Sequence, residues 1–295
     1  MEGVSIIIPA LNEEKSIGSV IEAVDSCMSK IDRVFEIIVI DDGSIDDTGK
    51  IAKMKKAQVI RHPIPAGYGA SIRDGIVQAK YDFIVITDAD ATYPIVKIPE
   101  LLNYLGDFDM VVGARTGRNY KGSILKHPLR KIFQLLGTFV TGVNIPDINS
   151  GLRAFKKRAV MKFSDNFCLG FSFTTTITLA FHLNGYFVKY VPIEYHKRVG
   201  KSNIRMLRDT LRATQIITQA ILYYNPIKLF LILMIMAFFG SFIFFIAYFV
   251  KKSLALLLFS VAFFIVSFLF FGMGLLADAI MKNKKVNGEN ARDLF

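Results

Sequence analysis

The chain has 295 residues, 52% of them hydrophobic, with a formal net charge of +11, two cysteines and no tryptophan. This composition excludes a disordered acidic protein and a disulfide-stapled secreted domain, and the positive charge asks for an anionic partner. Nucleic acid is set aside, because no nucleic-acid module is recognisable and the basic residues gather toward apolar C-terminal segments, where anionic lipid headgroups are the nearer partner. From the start, Val4 to Ile8 reads as a buried strand, closed by Pro9-Ala10-Leu11-Asn12-Glu13-Glu14, and so as entry into a domain rather than a secretory leader. Ser16 to Met28 has apolar residues at helical spacing, and Phe35 to Ile40 is a second β-branched run ending in Asp41-Asp42-Gly43-Ser44. A short strand at Val59-Ile60 follows, then the turn Gly67-Tyr68-Gly69, a helix from Ile72 to Ala79, and the apolar run Phe83 to Thr87. Strands alternating with helices predict a mostly parallel sheet with crossover helices.

The run at Phe83 stops at Asp88-Ala89-Asp90. Two carboxylates one residue apart at the carboxyl edge of a strand lie where α/β sheets bind ligands. They repel each other, and a hard divalent cation relieves that repulsion while offering open positions to a phosphate. The expected site therefore holds Mg²⁺ or Mn²⁺ on Asp88 and Asp90. Asp42 is suited to a metal, a ribose or a base edge, and Asp46 and Asp47 to the N-terminus of a helix. Gly67-Tyr68-Gly69-Ala70 is a weak phosphate-loop signal without a Walker lysine.

After a helix at Pro99 to Leu105 and a strand at Met110 to Gly113, Lys126 to Thr141 sets Leu129, Ile132, Phe133, Leu136 and Phe139 on one side, with Lys126, Arg130 and Lys131 at its start. Such a helix suits a membrane interface, or packing on the domain. In Asp147-Ile148-Asn149-Ser150-Gly151-Leu152-Arg153, Asp147 and Arg153 suit an ion pair, while Ser150-Gly151 suits backbone donation to a sugar. Val188 to Tyr195 is a strand, followed by the basic loop Arg198-Val199-Gly200-Lys201-Ser202, suited to a leaving diphosphate. Cys27 and Cys168 lack metal spacing and read as reduced, buried residues.

Ile227 to Val250 carries one lysine, and Leu254 to Ala277 carries no charge. Each is about 24 residues, roughly 36 Å of helix, enough to cross a hydrocarbon core of about 30 Å. With only Lys251-Lys252-Ser253 between them, the two spans form a hairpin that returns the chain to its starting side. Lys197, Arg198, Lys201, Arg205, Arg208 and Arg212 before the hairpin and Lys282, Lys284 and Lys285 after it favour a cell-membrane protein whose domain and both termini are cytoplasmic; Lys251 and Lys252 weigh less, in the other direction. The expected organisation is an α/β domain over 1–202, a juxtamembrane amphipathic helix over 203–225, the spans within 226–281 and a tail over 282–295.

Seven motifs in this order resemble the inverting family 2 glycosyltransferases of GT-A fold, and among them the polyprenyl-phosphate glycosyltransferases typified by dolichyl-phosphate mannosyltransferase. They are Ile8-Pro9-Ala10-Leu11-Asn12-Glu13-Glu14, Val39-Ile40-Asp41-Asp42-Gly43-Ser44, Gly67-Tyr68-Gly69, Asp88-Ala89-Asp90, Val112-Gly113-Ala114-Arg115, Ser150-Gly151-Leu152-Arg153 and Arg198-Val199-Gly200-Lys201-Ser202. The resemblance implies transfer of one hexose from a nucleotide sugar, GDP-mannose or a UDP-sugar, to a polyprenyl (dolichyl) phosphate. It implies donor binding by Pro9, Leu11, Glu13, Asp42, Gly67, Asp88, Arg198 and Ser202, and metal at Asp88 and Asp90. Acceptor phosphate falls to Arg115, Arg130, Ser150 and Arg153, and catalysis to Asp90, Arg115 and Arg198. Ala91-Thr92-Tyr93 departs from the Leu then Gln or Ser common in the mannosyltransferases, which leaves the third metal ligand and the sugar open. A processive polysaccharide synthase shares the front motifs but needs more spans and a Gln-x-x-Arg-Trp motif, which a chain without tryptophan lacks. A noncatalytic membrane scaffold with a nucleotide-binding fold is the other alternative, and the intact acidic pair and basic loop weigh against it. Oligomeric state is left unassigned.

Overall fold

The computed structural model describes residues 3–117, 126–162, 173–196, 215, 218, 221–222 and 225–292, with the backbone alone for 126–133 and 284–292. Arg198 and Ser202, Cys168, and most of the segment expected between 203 and 225 lie outside the described residues. The chain divides into two compact units, Met1–Ile216 and Ile217–Phe295.

In the first unit, β1 (Val4–Ala10), α1 (Ile17–Met28), β2 (Phe35–Asp41), α2 (Thr48–Met54), β3 (Gln58–Arg61), α3 (Tyr68–Gln78) and β4 (Phe83–Ile86) alternate as expected. A 3-10 turn at Ile95–Lys97 leads to α4 (Ile98–Tyr104), β5 (Met110–Thr116), α5 (Lys126–Thr141), β6 (Arg153–Lys156), α6 (Lys157–Met161), α7 (Phe173–Leu183) and β7 (Val188–Glu194). Among the described residues the strands make one sheet of order β3-β2-β1-β4-β6-β5-β7. All neighbours are parallel except β6, which runs antiparallel to both β4 and β5.

The alternation of side chains along each strand divides the core. Ile6 and Ile8 of β1 and Val85 of β4 pack with Ile17, Val20, Ile21 and Val24 of α1 on one face. Ile7 and Ile86 pack with Ile72 and Ile76 of α3 and Phe173, Ile177 and Phe181 of α7 on the other. Strands covered on both faces read as continuous apolar runs, as β1 and β4 do.

On α5 the apolar stripe is turned from its expected setting. Val140 is buried and Gly137 sits against Ile145 and Ile148, whereas Phe139, assigned with Leu136 to one apolar side, is 40% exposed beside Leu135 and Val143. A bare glycine lets that edge approach the domain closely, so one edge packs and the other stays apolar and open.

The second unit is a hairpin of α8 (Pro226–Lys251) and α9 (Leu254–Arg292). Lys252 in the left-handed region closes α8, its N–H donating to the Tyr248 carbonyl. Both helices are long and apolar enough to cross a bilayer, and only 11% of an 18-residue apolar stretch in each is buried. Buried core helices are shielded by neighbours, whereas here Phe242, Ile246 and Phe249 on α8 and Leu258, Phe268 and Leu276 on α9 face outward. Where the helices meet, Ser241 Oγ donates to the Ser260 carbonyl (2.8 Å) and Ser260 Oγ to the Ser241 carbonyl (3.0 Å). The expected tail after residue 282 continues α9 as helix through Arg292.

Candidate active site

Sheet order fixes where a ligand enters. From β1 the sheet grows through β2 and β3 on one side and through β4 on the other, so the crevice opens at the carboxyl ends of β1 and β4. Pro9 lies buried within β1, and Leu11 and Glu13 follow in the loop beyond it. The Glu13 N–H donates to Thr48 Oγ1 (2.8 Å), which ties that loop to α2. Asp42 joins the same edge, its N–H donating to the Ala10 carbonyl, and the Thr87 N–H donates to the Ile7 carbonyl. Of the acidic residues after β2, Asp46 accepts from the Thr48 N–H and so serves the start of α2.

Asp88 is half-buried and Asp90 is buried. Asp90 Oδ1 accepts from the Thr92 N–H (3.1 Å) and hydroxyl (2.6 Å), with Ala91 between them in the left-handed region at φ 58°. Ala91-Thr92 thus works as a tight turn that fixes the second carboxylate. Asp88 Oδ1 accepts from the Tyr68 hydroxyl at 3.0 Å. Burial first, and then the Asp88 charge, push the Tyr68 phenol well above its usual range, which keeps it a donor. The Gly151 N–H donates to the Tyr93 hydroxyl (2.6 Å), and burial likewise raises that phenol's pKa.

Gly151 touches the carboxylate directly, since a Cβ built there would stand 2.6 Å from Asp88 Oδ1 and 2.8 Å from Oδ2. Gly151→Ala is therefore expected to turn Asp88 away from its setting and weaken Mn²⁺ binding at least about tenfold, while far-ultraviolet circular dichroism stays native. Titration of Mn²⁺ into wild type and variant checks this; equal affinities would show that Asp88 swings aside at no cost.

Asp147 pairs with Arg115, not with Arg153 as its proximity in sequence implied. Arg115 Nε and Nη2 reach the two Asp147 oxygens at 2.7 and 2.9 Å, and the Arg115 N–H adds a third bond. The guanidinium also lies over the Tyr195 ring, which meets Tyr93 edge to face. Arg153 is fully buried: Nε and Nη2 donate to the Ser150 carbonyl, and Nη1 to the Thr174 carbonyl and Thr178 hydroxyl of α7. Ser150 is equally buried, its hydroxyl donating to the Gly113 carbonyl. In this structure Ser150 and Arg153 hold the turn before β6 together rather than facing an acceptor, and the Gly151 N–H is occupied by Tyr93 rather than open to a sugar. Arg130 lies in the first turns of α5, where the backbone alone is described.

At the end of β2, Asp42 Oδ1 accepts from the Ala66 N–H (2.8 Å) and contacts His62 Nδ1 (2.7 Å), and Oδ2 accepts from the Gly67 N–H (2.9 Å). Gly67, at φ 102°, turns the chain into α3, which begins at Tyr68. One short segment thereby links Asp42 to the tyrosine that holds Asp88. Tyr68, Tyr93, Thr92 and His62 were not among the residues singled out from the sequence. Tyr68 stood inside a motif read for its glycines, and Tyr93 and Thr92 directly followed the acidic pair.

Comparison with known proteins adds family to geometry. The family described as glycosyl transferase family 2 matches residues 5–163. A low-salt glycan biosynthesis hexosyltransferase of Haloferax volcanii is 31% identical over 218 residues, 70% of this chain and 51% of that protein. A dolichyl-phosphate hexose transferase of the same organism is 29% identical over 69% of this chain and 87% of its own length. An undecaprenyl-phosphate 4-deoxy-4-formamido-L-arabinose transferase of Proteus mirabilis is 30% identical over 53% of this chain and 50% of its own. The chain thus spans about half the length of the first and third of these relatives. Among solved structures, glucosyl-3-phosphoglycerate synthase of Mycobacterium tuberculosis in complex with Mn²⁺, UDP-glucose and phosphoglyceric acid superposes with a TM-score of 0.60 at 18% identity, over 74% of this chain and 79% of that one. The same enzyme with phosphoglyceric acid alone gives 0.58 at 21% identity. These superpositions establish the GT-A fold. The family match runs over more than half of the chain and takes in the strand ends that carry Asp42, Asp88, Asp90 and Arg115, and on it the chain belongs to glycosyl transferase family 2.

Proposed function

We propose that the chain is a membrane-attached inverting glycosyltransferase that moves one hexose from a nucleoside diphosphate sugar to a polyprenyl phosphate. The observation that carries this reading is the Asp88–Asp90 pair, fixed at the crevice of a family 2 domain in a chain that also carries an outward-facing apolar hairpin. Relatives named for transfer to dolichyl and undecaprenyl phosphate support the acceptor class.

The donor set suits a hard cation, Mg²⁺ or Mn²⁺: both groups are carboxylates, and each is oriented by a hydroxyl donor. Among the described residues no group of three or more histidine, cysteine, aspartate or glutamate side chains is gathered for a metal, so Asp88 and Asp90 are the side chains that would hold it. When bound, the cation would neutralise charge on the departing diphosphate.

The chain's own residues do the rest. Asp42 holds the base end of the donor, and Glu13 and Leu11 lie beside it on the loop after β1. The acceptor phosphate falls to Arg115, set in plane by Asp147, and to Arg130, and the diphosphate to Arg198 and Ser202. A phosphate monoester has its second pKa near about 6 and is already anionic at neutral pH, so positioning of two anions, rather than a strong base, is what the site must supply. The apolar hairpin and the open edge of α5 keep the domain where the lipid phosphate lies. The lysines and arginines flanking the hairpin support a cytoplasmic sheet domain and cytoplasmic termini.

The test is a donor panel. Full-length protein in lipid with Mg²⁺ or Mn²⁺ and polyprenyl phosphate is given each common labelled UDP- or GDP-sugar, and label is extracted into organic solvent. Label entering the lipid phase from one donor supports the reading and identifies the sugar. No lipid-phase label from any donor, with nucleotide binding intact, would sink the acceptor class.

A further inference from the structure

We infer that His62 is a positioning residue for the donor nucleotide and acts through its Nδ1 contact with Asp42; this rests on the reading of Asp42 as the group that meets the base. His62 follows β3 directly, its side chain is 12% exposed, and its N–H donates to the Asp41 carbonyl. The ring lies between two carboxylates, with Nδ1 2.7 Å from Asp42 Oδ1 and Nε2 3.1 Å from Asp74 Oδ2 on α3. Asp74 is held in turn by Arg73, with Nε on Oδ1 at 3.0 Å.

A carboxylate offers about four acceptor positions. His62, Ala66 and Gly67 take three on Asp42, two of them on Oδ1, which leaves about one, on Oδ2, for a base N–H. The two backbone donors, Ala66 and Gly67, come from the loop between β3 and α3, which is itself anchored on Asp42 through these same bonds, so they do not fix that carboxylate independently. His62 does, because it is tied to the end of β3 and to α3 besides Asp42. A carboxylate preset in one rotamer spares the ordering cost on binding.

Asparagine places an amide nitrogen near the position of Nδ1, and glutamine places one near Nε2, so the pair separates the two arms. Full-length wild type, His62→Ala, His62→Asn and His62→Gln in lipid are titrated with UDP and with GDP in the presence of Mn²⁺, and thermal unfolding confirms that all four are folded. Wild type is expected to bind one of the two nucleotides. His62→Ala should weaken that binding at least about tenfold, the scale of one buried charge-assisted hydrogen bond. His62→Asn should return to within about threefold of wild type, and His62→Gln should remain weak. In turnover the loss should appear in the donor KM, with kcat changed less than about threefold. Wild-type affinity in His62→Ala, or His62→Asn as weak as alanine, would overturn the role of His62 while leaving the donor site standing. Wild type that binds neither nucleotide would overturn the donor-site reading itself, and the role of His62 with it.

Discussion

Asp90→Asn is expected to cut sugar transfer at least about a thousandfold, the equivalent of the several kcal/mol of charge stabilisation a bound cation supplies. The geometry gives the reason. Asp90 Oδ1 is held by the N–H and hydroxyl of Thr92, and Asp90 is buried, so asparagine must keep its carbonyl oxygen toward those donors. The amide then presents N–H hydrogens on its other arm, where the carboxylate presented charge. The fold should be unaffected, since Thr92 keeps its acceptor. Lipid-phase label in the donor assay and Mn²⁺ titration check this together. Near-normal turnover at saturating metal would mean that Asp90 is not a metal ligand.

The second large effect concerns stability. Asp147→Ala leaves the Arg115 guanidinium, itself mostly buried, without the carboxylate that meets it in two parallel bonds, and breaking such a pair from one side costs about 3–5 kcal/mol. Denaturant unfolding of wild type and variant at neutral pH measures it; a difference below about 1 kcal/mol would class the pair with surface ion pairs. A pH dependence follows. Burial pushes the Asp147 carboxyl up, but the charge of Arg115 and the hydrogen bonds from Arg115 and Asn149 outweigh it and hold the pKa below the ordinary 3.8. A carboxyl with a folded pKa below its unfolded one contributes stability that is fully present above about pH 4 and is lost as the pH falls through the folded value. Wild-type stability should therefore drop below about pH 4, and Asp147→Asn should flatten that drop.

Much of this architecture was legible because β1, β2 and β4 are β-branched runs that end in the residues now found at the carboxyl edge. The two apolar spans were legible from length alone. β6 was not, since Arg153-Ala154-Phe155-Lys156 has neither an apolar run nor a clean alternation. The same four residues explain why Arg153 was read as a ligand for phosphate: charge ordinarily faces water, and only the meeting of β6 with α7 supplies enough carbonyl and hydroxyl acceptors to keep a guanidinium inside. Arg153 stands six residues from Asp147 in sequence, whereas the fold brings the actual partner from 32 residues away on β5. Tyr68 and His62 gain their roles only when α3 and the end of β3 are brought to Asp88 and Asp42, a meeting that no local pattern encodes.

The reciprocal bonds between Ser241 and Ser260 bear on how the hairpin can move. Each hydroxyl is satisfied by the carbonyl of the other serine, so the two helices are indexed to one another like teeth on facing racks. A slip of one helical turn, about 5.4 Å, would part both bonds at once and send each hydroxyl back to a carbonyl of its own helix, as Ser267 already does with Phe264. The hairpin is built to tilt or turn as one piece, and it resists working as a piston.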